Sequence, residues 1–73
     1  MSDVTIVEAR YGGTYEGGNW LSFPALPHEL EEKYPDWDAD DVSCQEFWFS
    51  DESASIGRGS SPNNALLDMK RRT

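Results

Sequence analysis

Cysteine, histidine and basic side chains are all scarce in this sequence: one Cys, one His and six Lys or Arg among 73 residues. A lone cysteine, Cys44, excludes an internal disulfide, and no metal-ligand spacing surrounds it. It reads as a small buried apolar residue on a strand, in a chain suited to a reducing cytoplasm. His28 has no nucleophile placed to use it as a base, since Cys44 lies sixteen residues on with no orienting motif. Paired-carboxylate chemistry needs a deep cleft that a chain this short can hardly build, so the sequence reads as non-enzymatic and without a cofactor. No stretch approaches the roughly 18 apolar residues of a membrane span, and no basic segment followed by an apolar one marks a leader.

The shortage of basic charge is sharper than the net charge of −8 suggests. Lys70, Arg71 and Arg72 sit together near the C-terminus, which leaves fourteen acids against Arg10, Lys33 and Arg58 in residues 1–69. Direct nucleic-acid binding is disfavoured, because sequence-independent affinity comes from Lys and Arg displacing counterions from phosphates. An anionic membrane is disfavoured on the same ground. A basic protein surface is the partner that this charge would steer towards the chain. Acidity that serves only solubility, or a salt-adapted host, is the bland counterpart of that reading.

What the sequence does have is aromatics: three Trp, three Tyr and three Phe, each able to bury roughly 150–250 Å². A mean hydropathy of −0.71 leaves little else to build a core, and the aromatic content argues against disorder. At this size one domain is expected, with few core residues and marginal stability.

The pattern along the chain is that of a small α+β domain. Residues Asp3 to Arg10 are β-branched, with Val4 and Ile6 on one face and Val7 and Ala9 on the other, which suggests a central strand. The four glycines of Tyr11 to Gly18 license a turn, and Asn19 to Phe23 returns as an antiparallel second strand before Pro24 and Pro27 stop the ladder. A short helix is expected at 28–34, where Leu30 and Tyr34 share a face and Glu29 can pair with Lys33. Pro35 to Asp41 reads as a loop. Val42 to Ser50 alternates as a third strand, and Ala54 to Gly59 as a fourth with Ile56 inward. Ser61 as N-cap, Pro62 at the first helical position and the terminal cations define a helix to about Arg71, with Ala65, Leu66 and Met69 on the face that covers the sheet.

The segment His28 to Glu52 stands out, because it holds ten of the fourteen acids interleaved with Tyr34, Trp37, Phe47, Trp48 and Phe49. Asp36, Asp38 and Asp40 have the spacing that opens a calcium loop, but Asp41 stands where glycine is needed and Phe47 where a bidentate Glu belongs. A weak divalent-cation module is therefore the least favoured reading. Gly57-x-Gly59 lacks the third glycine and the room of a dinucleotide fingerprint, and reads as a strand-to-helix joint. The segment is best read as a contact surface, with carboxylates standing where nucleic-acid phosphates would and aromatic anchors beside them. Glu29, Glu31, Glu32, Tyr34, Asp36, Trp37, Asp38, Asp40 and Asp41 are the candidate partner-binding residues, with Tyr34 and Trp37 as exposed anchors. Phe47, Trp48 and Phe49 fall on the strand read over Val42 to Ser50, one face of which supplies the core while the other is open to solvent.

Two pieces of the chain resemble a known family. Phe23-Pro24-Ala25-Leu26-Pro27, and the run Ile56-Gly57-Arg58-Gly59-Ser60-Ser61-Pro62-Asn63-Asn64-Ala65-Leu66, resemble the strand end and the strand, turn and helix of HicB-type antitoxin domains. The resemblance covers about half the chain and implies a β-β-β-α order, with His28 to Ser53 inserted where that family runs on almost directly. The resulting expectation is a sheet of about four strands with the C-terminal helix on one face. Its function would be that of a non-enzymatic acidic inhibitor or adaptor, of the kind phages encode, that binds a basic surface of a nucleic-acid-handling protein. The alternative is a HicB-like antitoxin binding a small basic toxin. The small core also leaves room for a homodimer joined at a sheet edge.

Overall fold

The computed structural model describes residues 3–72. Strands β1 (Thr5–Glu8) and β2 (Trp20–Phe23) are followed by a single 3-10 turn at Pro27–Glu29 that runs into α1 (Leu30–Lys33). Helix α2 (Asp41–Trp48), a second 3-10 turn at Asp51–Ser53, strand β3 (Gly57–Gly59) and helix α3 (Pro62–Arg72) complete the chain. The fold is α+β, with a three-stranded antiparallel sheet in the order β1-β2-β3 among the described residues.

Two expectations are corrected. The sheet has three strands and not four, because residues 42–50, read as a strand, are helical over Asp41–Trp48. The alternation of Val42, Cys44 and Trp48 competes there with a helical spacing, Cys44, Phe47 and Trp48, which buries all three on one side. Asp40 starts that helix, its carboxylate accepting the Ser43 N–H at 3.0 Å. The central strand is β2 and β1 lies at the edge, which leaves Val4 and Ile6 more than a third exposed. The fourth expected strand survives as β3, beginning just after the buried Ile56.

The glycine-rich segment behaves as its composition implies. The ladder extends one step past β1 through the Ala9 N–H to Asn19 carbonyl bond at 2.8 Å, and the turn beyond it places Gly12, Gly13 and Gly17 at positive φ.

The cross-strand register sorts side chains onto two faces. Ile6, Ser22 and Gly57 share one row, with Glu8, Trp20 and Gly59 in the next, and α3 lies across them. Ser22 donates to the Met69 sulfur at 3.3 Å. The helix sits so close that a Cβ on Gly57 would come within 2.2 Å of the Ala65 carbonyl oxygen, and one on Gly59 within 2.5 Å of the Ala65 nitrogen. Ala65 and Met69 are fully buried at this contact, and Leu66 half-buried, as their spacing implies. The helix opens with the Ser61 hydroxyl accepting the Asn64 N–H at 3.1 Å.

The opposite face carries Phe23, Leu21 and Val7, and the main core gathers there. Phe23 lies 5.4 Å from each of the Tyr34 and Trp37 rings and 6.4 Å from Trp48. Arg58 also belongs to this face, with its guanidinium stacked 4.9 Å over Trp48 and donating to the Ser53 carbonyl at 2.6 Å. Its backbone N–H donates to Asp68 of α3 at 2.9 Å, and the same carboxylate pairs with Arg72 at 2.7 Å. Burial tends to raise the Asp68 pKa, but these two donors outweigh it and hold the carboxyl below its ordinary value. Arg58 therefore ties both outer layers to the shortest strand.

Because nothing larger than hydrogen fits at the α3 contact, Gly57→Ala should destabilise the fold by about 3 kcal/mol or more. Leu67→Ser, on the helix's outer side, should change stability by less than about 0.5 kcal/mol. Urea denaturation of the two variants checks both.

Candidate functional site

The contact segment is folded into a lid over Phe23. Its polypeptide enters through the 3-10 turn and α1, and Glu29 caps that turn: one carboxylate oxygen accepts the Leu26 N–H at 2.9 Å, and the other pairs with Lys33 of α1 at 3.6 Å. The Leu26 N–H is the main cause that lowers the Glu29 pKa, with Lys33 adding to it. Leu30 is buried beneath, while Glu31 and Glu32 are exposed.

Tyr34 and Trp37 are corrected from exposed anchors to core residues. Both are half-buried and pack against the core cluster. Tyr34 meets Phe47 edge-on at 6.2 Å as well as Phe23. The Trp37 carbonyl accepts the Trp48 indole N–H at 3.1 Å and the Cys44 thiol at 3.5 Å. An aromatic between charged neighbours looks exposed in a linear sequence. Here the chain turns twice within Pro35–Asp41, so Trp37 points inward while its neighbours point out.

Asp36, Asp38, Asp40 and Asp41 are all exposed. Their backbone is held from the glycine-rich turn. Arg10 donates to the Asp38 carbonyl, and Tyr11 donates its hydroxyl to the Ala39 carbonyl at 2.8 Å. Tyr15 reaches Asp41 at 3.5 Å. Desolvation first, then the Asp41 carboxylate, raises the Tyr15 pKa above the ordinary phenol value. The Tyr11 and Tyr15 rings meet edge-on at 5.3 Å, and the Arg10 guanidinium lies 5.2 Å over Tyr11. Asp40 at the α2 start and Glu29 at the 3-10 turn before α1 are thus spent on structure, Asp41 meets Tyr15 at the surface, and the remaining carboxylates of the segment face outward.

The chain matches no family model, no curated protein and no solved structure. Its functional reading therefore rests on its own residues.

His28 is exposed in the 3-10 turn before α1, and Cys44 is fully buried on α2. Burial, aided by Glu16, pushes the Cys44 thiol up to about 11. Among the described residues no group of three or more His, Cys, Asp or Glu side chains converges as a metal would require. Asp36, Asp38 and Asp40 follow a turn and a helix cap, not a calcium loop.

Three features escape the linear reading. Val42 and Phe49 are 66% and 72% exposed on the outer side of α2. Glu16 is fully buried: one carboxylate oxygen accepts the Tyr11 N–H at 3.2 Å, and the other has no partner. A helical reading of 40–48, with an aspartate cap and buried residues at i, i+3 and i+4, would have found the first two. Nothing in the sequence around Glu16 marks it as buried.

Trp37 serves the fold from a half-buried position, so Trp37→Ala should lower stability by about 3 kcal/mol. An exposed anchor would cost under about 0.5 kcal/mol. Thermal and urea denaturation distinguish the two.

Proposed function

We propose that this chain is a non-enzymatic acidic protein-binding module, an inhibitor or adaptor that docks on a basic surface of a nucleic-acid-handling protein. One observation carries the reading: nine of the ten acids between Glu29 and Glu52 are exposed on a segment whose backbone is fixed from beneath. Carboxylates held in place lose less conformational freedom on binding than the same charges on a flexible tail. They also present a patterned negative field, which selects partners and speeds encounter. The only base within the segment, Lys33, is engaged with Glu29, and Arg10 is drawn towards backbone carbonyls at its margin.

A second reading keeps the same surface and changes the partner. Ile56, β3, Ser61 and α3 follow one another in the strand-turn-helix order that the resemblance to HicB-type antitoxins implies, which favours a small basic toxin as the bound protein. An adjacent gene for such a toxin would separate this reading from the first.

The test for both is the triple variant Asp36→Asn, Asp38→Asn and Asp41→Asn, with Asp40 retained because it caps α2. Affinity capture from the native host, quantified by mass spectrometry, should lose its partner by about tenfold or more, and the wild-type interaction should weaken with added salt. Equal recovery by the variant, or no salt dependence, would contradict the proposal.

A further inference from the structure

The outer side of α2 is an unpartnered helix face. Cys44, Phe47 and Trp48 turn inward, so Val42, Gln45, Glu46 and Phe49, at i, i+3, i+4 and i+7, turn outward together. Phe49 still has helical backbone geometry as the C-cap, its N–H bonded to the Gln45 carbonyl at 3.1 Å. Val42 and Phe49 are the two most exposed large apolar side chains of the described residues, at 66% and 72%. The packing of this small core leaves them out, although apolar surface is the chain's scarcest material. They stand about 10 Å apart along the helix, from 1.5 Å of rise per residue, with Gln45 and Glu46 between them.

Charge complementarity specifies what covers this face. Sharing Glu46 with this face, a shallow depression of about 260 Å³ is lined by Asp36, Glu46, Phe47, Ser50 and Glu52. It holds three carboxylates and no basic side chain, next to the end of α2, where the helix dipole adds further negative charge. The ion pairs Lys33–Glu29 and Arg72–Asp68 lie elsewhere. A second copy of this chain would bring the same carboxylates against these, so self-association is disfavoured.

Resting on the proposed function, we infer that the Val42–Phe49 face of α2 docks a basic amphipathic helix of the partner. Apolar residues seven apart on that helix meet Val42 and Phe49, and a Lys or Arg reaches the Asp36, Glu46 and Glu52 depression. Phe49 supplies the desolvated anchor and the carboxylates form the polar rim, the division of labour found at protein-binding hot spots.

The test is fluorescence anisotropy with two labelled synthetic peptides of identical composition. One is a basic helix with Leu at i and i+7 and Lys between; the other is its scramble, with no apolar face. Phe49→Ser and Val42→Ser should each weaken the amphipathic peptide by about tenfold and leave the scramble within about twofold. Leu67→Ser, an exposed apolar change on α3, should leave both unchanged. If Phe49→Ser and Val42→Ser leave the amphipathic peptide within about twofold while the Asp36, Asp38 and Asp41 triple variant weakens it, the α2 face is overturned and the acidic-surface reading stands. If neither set of changes matters, both fall. Phe49-dependent dimerisation in sedimentation would make a second copy the occupant and also overturn the inference.

Discussion

The close contact between α3 and the sheet governs how the rest of the chain is disposed. Gly57, Gly59 and Ser22 leave the β3 side of that face almost without side-chain bulk, with Ile6 and Trp20 at its other positions, and α3 descends on it until its own backbone meets β3. Such a contact gains from dispersion and from the excluded water, but leaves little room for large aromatics beneath the helix. Apart from Trp20 on the α3 face and the exposed Phe49, they gather away from it, most of them around Phe23, where no long helix is at hand to cover them. The acidic segment takes that part. Its Leu30, Tyr34, Trp37, Cys44, Phe47 and Trp48 close over Phe23 and Leu21, and each inward aromatic turns its charged neighbours outward.

Arg58 shows how tightly the two layers depend on one another. It lies on a three-residue strand between glycines, yet contacts Trp48 of α2, Ser53 of the following turn and, through its backbone, Asp68 of α3. Its guanidinium is half-buried, and burial lowers its pKa. The satisfied hydrogen bonds and the stacked ring offset the cost of taking the charge out of water. The acidic segment is therefore coupled through one residue, by its side chain on one face and its backbone on the other, to the α3 layer on the far side of the sheet.

Much of this was legible in the sequence where local chemistry and tertiary structure agree. The strand, glycine turn and strand at the start, the Glu29–Lys33 pair, and the Ser61-capped helix with Ala65 and Met69 inward all follow from signals that act over a few residues. The reading failed where one run of residues fits two periods. Val42 to Phe49 satisfies alternation as well as helical spacing, and aromatic residues favour strands in isolation. The Asp40 cap and the burial of Phe47 and Trp48 together decide for the helix. The surface suffered in consequence: strand alternation keeps Phe47 and Phe49 on one face and Trp48 on the other, whereas the helix buries Phe47 and Trp48 together and exposes Phe49, and Tyr34 and Trp37, expected as exposed anchors, pack against the core. The positions of Asp36, Asp38 and Asp41 were judged rightly as exposed, because nothing in a core this small could satisfy them.

The central claim is that the acidic segment is a preformed surface held by the aromatics beneath it. Backbone amide relaxation of the free protein tests it most directly. Order parameters near 0.85 from Asp36 through Phe49, level with those of β2, are the predicted result. Values below about 0.6 across Asp36–Asp41 would show a flexible acidic loop and contradict the account.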